Sequence, residues 1–325
     1  MRIAIIGSPA FDSLEFHLHD ELVVQGHTAK IFDFDKTVSK KVDMGLSLIS
    51  EKFVSRKNTR LLEKVLNYKP ELVIGVYRHI HPLVVKELKS NQIKVIHINP
   101  DQLTTLQNQQ IFVEPYDAYF TKDPYMVRFM SDKMGLNAHQ YSEAFNPRFH
   151  QRRSENFLQM ENEVNIDVLC FGNLYPYRNR MLTVLQEQGI KLSLFGHKAK
   201  YFDDRLSHAF QKRPIYGEEK AKILNGAKIV FNNFHYAEIE SANNKFFEIN
   251  GSGAFQICDY KPILHNLLPI DPKKVSFNNI EEAATLIKYY LNNPQERWEL
   301  RNSIYTHFAE HHTYNHLLAG VFNKI

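Results

Sequence analysis

The chain has 325 residues, 43% of them hydrophobic and 23% charged, which is enough apolar material for two domains of ordinary size. A formal charge of +4 suits phosphorylated ligands or an anionic surface and is too weak a signal for nucleic acid, which is excluded as a partner. Cys170 and Cys258 each sit in an apolar run and have no metal-ligand spacing, so both are expected as buried, unpaired thiols.

The opening "MRIAIIGS" is too short for a signal-peptide core and reads as a first strand, and no apolar stretch approaches the ~20 residues of a membrane span. A cytoplasmic location is expected. Short apolar runs then alternate with amphipathic segments, the pattern of βαβ units around a parallel sheet. Strands are predicted at 2–7, 28–34, 71–77, 94–99 and 118–122. A helix over 13–26 is predicted to end on Gly26. A second series is predicted at 167–173, 191–197, 213–217, 228–233, 254–260 and 274–279, with helices over 178–189 and 217–227. The polar segment 146–165, without apolar periodicity, reads as the connection. The expected fold is α/β, with two facing Rossmann-like domains, parallel sheets and a cleft between them. The boundaries are 1–150 for the first domain and 151–310 for the second. Residues 311–325 form a closing helix that packs back on the first domain, with contact to a membrane surface as the alternative role of this tail.

Ligands of open α/β sheets bind beyond the carboxyl ends of the strands. That rule selects Gly7 and Ser8, Arg78 to His81 (including His79), Asp101, Gly172, Arg178, and Gly196 with His197. The loop "GSPAFDS" lacks two of the three glycines of a dinucleotide fingerprint, so a nicotinamide-dependent enzyme is disfavoured; a tight turn and a ligand contact both remain open there. In "FGNLYPYRNRM", Gly172 permits close backbone approach and Arg178 stands near a helix start, which suits an anion; a capped helix with surface arginines is the competing interpretation. Asp33 and Asp35 have metal-ligand spacing but no third ligand, and no metal is predicted. His97 lies inside a strand pattern and is expected as a buried, hydrogen-bonded imidazole, whereas His79 and His81 follow a strand end.

The segment "EIESANNKFFEINGSGAFQ" (238–256) is the most informative. Asn243 or Asn244 can cap a short helix with Gly251 as its terminator, placing Lys245 and Glu248 on one face. A plain surface salt bridge has the same spacing. Phe246, Phe247 and Ile249 argue that this helix is buried, and buried charges need a partner or a ligand. A carboxylate suits vicinal hydroxyls and a lysine suits phosphate; together they describe a nucleotide-sugar.

Glu240-x7-Glu248 resembles the paired-glutamate signature of retaining GT-B glycosyltransferases. "NNKFFEINGSGAFQICDY" is similar to the corresponding segment of the spore-maturation (CgeB-like) glycosyltransferases, of the group 1 type. "PYDAYFTKDPYMVRFMSDKMG", "SEAFNPRFH" and "GEEKAKILNGAKIVFNN" resemble further pieces of that family in the same order, over roughly residues 94–318. The resemblance implies a glycosyltransferase that takes a nucleoside-diphosphate sugar, UDP-sugar favoured, and holds it mainly in the second domain without a cofactor or metal. Glu248 would bind the ribose, Lys245 the diphosphate with Arg178 in support, and Glu240 the donor sugar hydroxyls. Gly172, Gly196, His197 and Asn244 would complete the donor site. The chain has Lys245 where the family usually has arginine, so a bidentate phosphate clamp becomes a point charge. Retention is expected; an inverting enzyme would draw its base from Asp101, His79 or His81. The acceptor, whether glycan, lipid-linked or protein, is left open. A nucleotide-sugar epimerase and a non-catalytic two-domain binding protein are the alternatives.

Overall fold

A computed structural model describes residues 1–34, 40–101 and 109–325. Asp35 lies outside them. The chain divides into two compact units, Met1–Ser142 with Leu317–Ile325, and Glu143–His316. Each is built on a parallel sheet, as the alternating pattern predicts.

The first unit's strands are β1 (Arg2–Ile6), β2 (Thr28–Phe32), β3 (Leu72–Gly75), β4 (Lys94–Asn99), β5 (Ala118–Thr121) and β6 (Ala138–Gln140), in the order β2-β1-β3-β4-β5-β6. Its helices are α1 (Leu14–Val24), α2 (Lys40–Ile49), α3 (Glu51–Tyr68), α4 (Pro82–Ser90) and α5 (Pro124–Arg128). Local signals place them. Ser13 caps α1 by accepting from the Phe16 N–H, and Gly26, at φ +80°, closes that helix as predicted. Prolines open α4 and α5, where a missing N–H costs nothing. The four residues of β3 are all buried, as a strand covered on both faces requires. The short edge strand β6 has too little alternation to be read from the sequence.

The second unit contains α6 (Phe157–Val164), β7 (Ile166–Leu174), α7 (Pro176–Glu187), β8 (Leu192–Lys198), α8 (Gly217–Gly226), β9 (Ala227–Asn232) and α9 (Asn244–Gly251). It continues through β10 (Gln256–Asp259), α10 (Leu264–Leu267), β11 (Ser276–Phe277), α11 (Ile280–Asn292) and α12 (Pro294–His311). The terminal α13 (Tyr314–Phe322) begins in this unit and ends in the first. Its strand order, β8-β7-β9-β10-β11, repeats the 2-1-3-4-5 order of the first sheet. Successive β7 side chains alternate between the two layers, Val168 and Cys170 into one core, Leu169 and Phe171 into the other. Both thiols are free and buried.

Two expectations need correction. Residues 213–217 form no strand; Ile215 is buried as part of an irregular connection that runs into α8. The polar segment 146–165 is not a plain linker, because Asn156 caps α6 and Glu161 makes a buried 2.6 Å ion pair with Arg297 while also accepting from the Trp298 indole. Met160 and Val164 pack so closely on Gly226 that a side chain there would overlap them. Polar residues that find buried partners leave no apolar stripe to read.

The carboxyl end of β7 depends on two glycines. Gly172 and Gly196 are register partners on β7 and β8, at φ +102° and +135°. A side chain at Gly196 would fall on the Gly172 carbonyl. Gly196→Ala is expected to cost about 3 kcal/mol or more, from left-handed strain and overpacking together. Thermal denaturation should show it as a lowered melting temperature, against a near-neutral Gly189→Asn control at φ +82°, where a side chain meets nothing within 4 Å.

Candidate functional site

In the second sheet the chain runs from β7 to β8 on one side and returns to β9 on the other, so the topological switch lies between β7 and β9. Ligands of such sheets bind at that point. The residues that follow these two strands are cross-linked. Arg178, buried in the first turn of α7, donates through Nε to Asn233 Oδ1 (2.8 Å), through Nη2 to the Asn233 carbonyl (3.2 Å) and through Nη1 to the Asn173 carbonyl (2.9 Å). Arg178 is therefore less a free surface arginine than a brace joining the β7 and β9 loops, with guanidinium N–H groups left over beside Gly172.

Lys245 comes to the same place from α9. Its Nζ donates to the Phe171 carbonyl at 2.6 Å, stands 4.8 Å from the Phe171 ring centre, and lies so close over Gly172 that a side chain there would overlap it. Arg178 Nη1 is 3.8 Å from that same point. Among the described residues neither cation forms an ion pair. Burial first, and the Arg178 charge second, lower the Lys245 pKa to about 7; Cys170 and Glu248 pull it up, and Lys220 pushes it down. Two adjacent cations with only carbonyl and amide oxygens as partners make a site short of an anion.

The helix carrying Lys245 is set by asparagines. Asn243, not Asn244, is the cap; it accepts from the Phe246 N–H at 2.9 Å and exchanges amide hydrogen bonds with Asn232 at the end of β9. Asn244 is the first helical residue and is half-buried. Gly251 is the last residue of α9, as predicted, but not in a left-handed conformation: the Phe145 ring leaves no room there for a side chain, and the left-handed residue is Gly253 at φ +71°.

Glu248, one turn on from Lys245, takes other partners. It is buried, and its Oε1 pairs with Lys220 Nζ from α8 and, at 3.6 Å, with His150 Nε2. Lys220 and His150 escaped the sequence reading, because a Lys in "GEEKAK" looks solvated and His150 sits in the polar segment. Glu240 lies half-buried on the loop after β9. The more deeply buried acid of that loop is Glu238, which accepts from the Ser241 hydroxyl. Lys261 Nζ holds the carbonyls of Glu238 and Ile239, and Asp259 accepts from the Phe234 N–H. Burial raises the Asp259 pKa to about 6. His197 is exposed at the end of β8, opposite Asn173 in register. Asn233 was also missed, although its position just past a strand is a signal.

The remaining candidates belong to the first unit. Asp101 is exposed and lies 3.8 Å from the Arg78 guanidinium. His79 is exposed and stacks on Tyr77 and Phe34. His81 has a structural task, capping α4 by accepting from the Leu83 N–H at 3.2 Å. His97 is fully buried, with Nε2 3.3 Å from the Tyr77 carbonyl, and burial lowers its pKa to about 4. The Gly7 loop offers no anion site, because the buried Glu15 carboxylate already accepts from the Ser8 N–H at 2.8 Å. Asp33 accepts from the Tyr77 hydroxyl at 2.7 Å.

Residues 178–322 match a protein-family model described as "Glycosyl transferase-like". Comparison with curated protein sequences finds no match. Among solved structures, the sucrose-phosphate synthase of Thermosynechococcus elongatus is similar at a TM-score of 0.71 and 12% identity, over 99% of this chain and 97% of that one. Alr3699/HepE of Anabaena, in complex with UDP-glucose, gives 0.70 at 10% identity over 100% of both chains. A glycosyltransferase of Rickettsia africae ESF-5 gives 0.65 at 11%, over 99% and 97%. At these identities the likeness shows the fold, the two-domain α/β architecture of the GT-B glycosyltransferases. Among the described residues no helix is long and apolar enough to cross a membrane.

Because Lys245 has a pKa of about 7 when folded and an ordinary value of 10.5, the unfolded chain binds more protons between those values. Stability contributed by this group is therefore lost as pH falls through that window, and the loss is complete below pH 7. Lys245→Met should stabilise the ligand-free protein, and by more at pH 6 than at pH 9; urea denaturation at the two values checks the sign.

Proposed function

We propose that this chain transfers a sugar from a nucleoside-diphosphate sugar, with the donor held in the second unit at the β7–β9 switch point. The observation that carries this is the Arg178–Lys245 pair beside Gly172, two cations without a carboxylate partner among the described residues, at the place where a parallel sheet binds anionic ligands. The family model over residues 178–322 and the GT-B fold support the same reading. So does the UDP-glucose complex of HepE, which makes a uridine donor the first choice.

In this reading the diphosphate lies over Gly172, where the missing side chain admits it to both cations. Lys245 and Arg178 stabilise the charge that builds on the departing nucleoside diphosphate, with the N-terminus of α9 adding its dipole. That role needs no metal. Lys220 and His150 both engage Glu248 Oε1, which leaves Oε2 to accept from the ribose hydroxyls. Glu240 approaches the donor sugar from the loop after β9. Retention of configuration goes with this arrangement, since the leaving phosphate then takes the acceptor's proton.

Differential scanning fluorimetry with UDP, GDP, ADP, dTDP and CMP tests the reading. One nucleotide at a hundredfold its dissociation constant should add about 2.7 kcal/mol of stability to the wild type. Lys245→Ala should lose that gain while melting no lower than the wild type on its own, and Glu248→Gln should weaken it. If no nucleotide stabilises the wild-type protein, the reading is wrong.

A further inference from the structure

Glu248 draws its two partners from other segments, and the three segments are tied together a second time a short way down the chain. Lys220 lies five residues before Asn225 on α8, His150 directly precedes Gln151, and Glu248 lies four residues before Ser252. Asn225, Gln151 and Ser252 meet. The Asn225 side-chain amide donates to the Ala221 carbonyl within α8 (2.8 Å), to the Ser252 carbonyl (3.0 Å) and to the Gln151 carbonyl (3.4 Å). Its oxygen accepts from the Arg153 N–H at 3.1 Å.

Arg301, from α12, closes the arrangement. Its Nη2 donates to the Asn225 carbonyl at 2.8 Å and its Nε to the Gly253 carbonyl, and its guanidinium carbon lies 4.5 Å from the centre of the Phe157 ring. One planar fork thus fixes the spacing between the last turn of α8 and the turn that ends α9. Helix C-termini carry unpaired carbonyls and the negative end of the dipole, so a cation suits both. Arg301 is fully buried, as is Asn225. Burial lowers the Arg301 pKa to about 9, Glu161 pulls it up, and Arg152 and Arg297 push it down. A methionine would fill the same space without that cost. It would not hold two carbonyls at one distance and angle.

We propose that Arg301, with Asn225, is a positioning residue for the donor site. It sets α8, α9 and residues 150–153 against one another, and so holds the Glu248 carboxylate, with Lys220 and His150, in the orientation that accepts ribose hydroxyls. This role rests on the glycosyl-transfer reading, in which Glu248 meets the ribose. It also says which part of the ligand responds. The start of α9, which carries Lys245, is fixed separately by the Asn232–Asn243 amide pair, so contacts to the diphosphate do not depend on Arg301.

The test is calorimetric titration of the full-length protein with UDP, GDP and ADP, each beside its 2′-deoxy form. The wild type should bind one ribonucleotide about tenfold or more tighter than its deoxy form, the worth of a hydrogen bond to a charged acceptor. Arg301→Lys supplies a point charge in place of the fork. It should cut that preference to about twofold while leaving affinity for the deoxy form within about twofold. Asn225→Asp, which keeps the acceptor for the Arg153 N–H and loses the donors, should do the same. Phe277→Leu, a core change at the ring stacked on Phe231, should lower the melting temperature and leave the preference unchanged. An undiminished preference in Arg301→Lys overturns the positioning role and leaves the transfer reading standing, as does an equal loss of affinity for both forms. A wild type that binds both forms alike overturns the positioning role as well. Failure of both hub variants to fold assigns Arg301 to the fold alone and overturns it too. A wild type that binds no nucleotide overturns the transfer reading and this role with it.

Discussion

Two like charges held side by side organise the second unit. Lys245 and Arg178 arrive from different helices at the end of β7, and among the described residues neither forms an ion pair. Such an arrangement persists only if something else fixes it. Arg178 is fixed by three hydrogen bonds to the loops after β7 and β9. Lys245 is fixed by the Phe171 carbonyl and by a helix whose start is locked through the Asn232–Asn243 amide pair. The absence of side chains at Gly172 and Gly196 leaves room for the Lys245 ammonium and for the Gly172 carbonyl. The unsatisfied charge is stored at a place where an anionic ligand can release it, and the folded state carries the desolvation cost until then.

The same logic separates the two buried charges of α9. Glu248 is one turn from Lys245, yet its carboxylate is satisfied from the other side by Lys220 and His150. Had Glu248 turned to Lys245 instead, the lysine would be neutralised and the anion site lost. Lys220 thus keeps the acid and the base of one short helix apart, as the proposed donor site requires.

Much of this was legible in the sequence. The alternation of apolar runs gives two parallel sheets, and the strand-end rule finds Gly172, Arg178 and Gly196. The aromatic residues around Lys245 and Glu248 say that α9 is buried. What the sequence hid was partnership across distance. Glu161 and Arg297 are 136 positions apart, so α6 looked like a linker. Lys220 and His150 look solvated because nothing local marks their common partner. Gly251 ends α9 as expected, yet a glycine that makes room for an aromatic ring and a glycine at a positive φ are the same letter, so the sequence did not show that the left-handed residue is Gly253. His81 and His79 stand two residues apart after one strand, yet one caps a helix and the other stacks on Tyr77 and Phe34.

The contrast between the two switch points follows from what already occupies each strand-end loop. In the first sheet a carboxylate from α1 fills the backbone N–H of Ser8, the position that a phosphate would need. In the second sheet the corresponding loop carries no acid, and cations from α7 and α9 reach it. Two sheets of the same strand order therefore carry groups of opposite charge at their switch points.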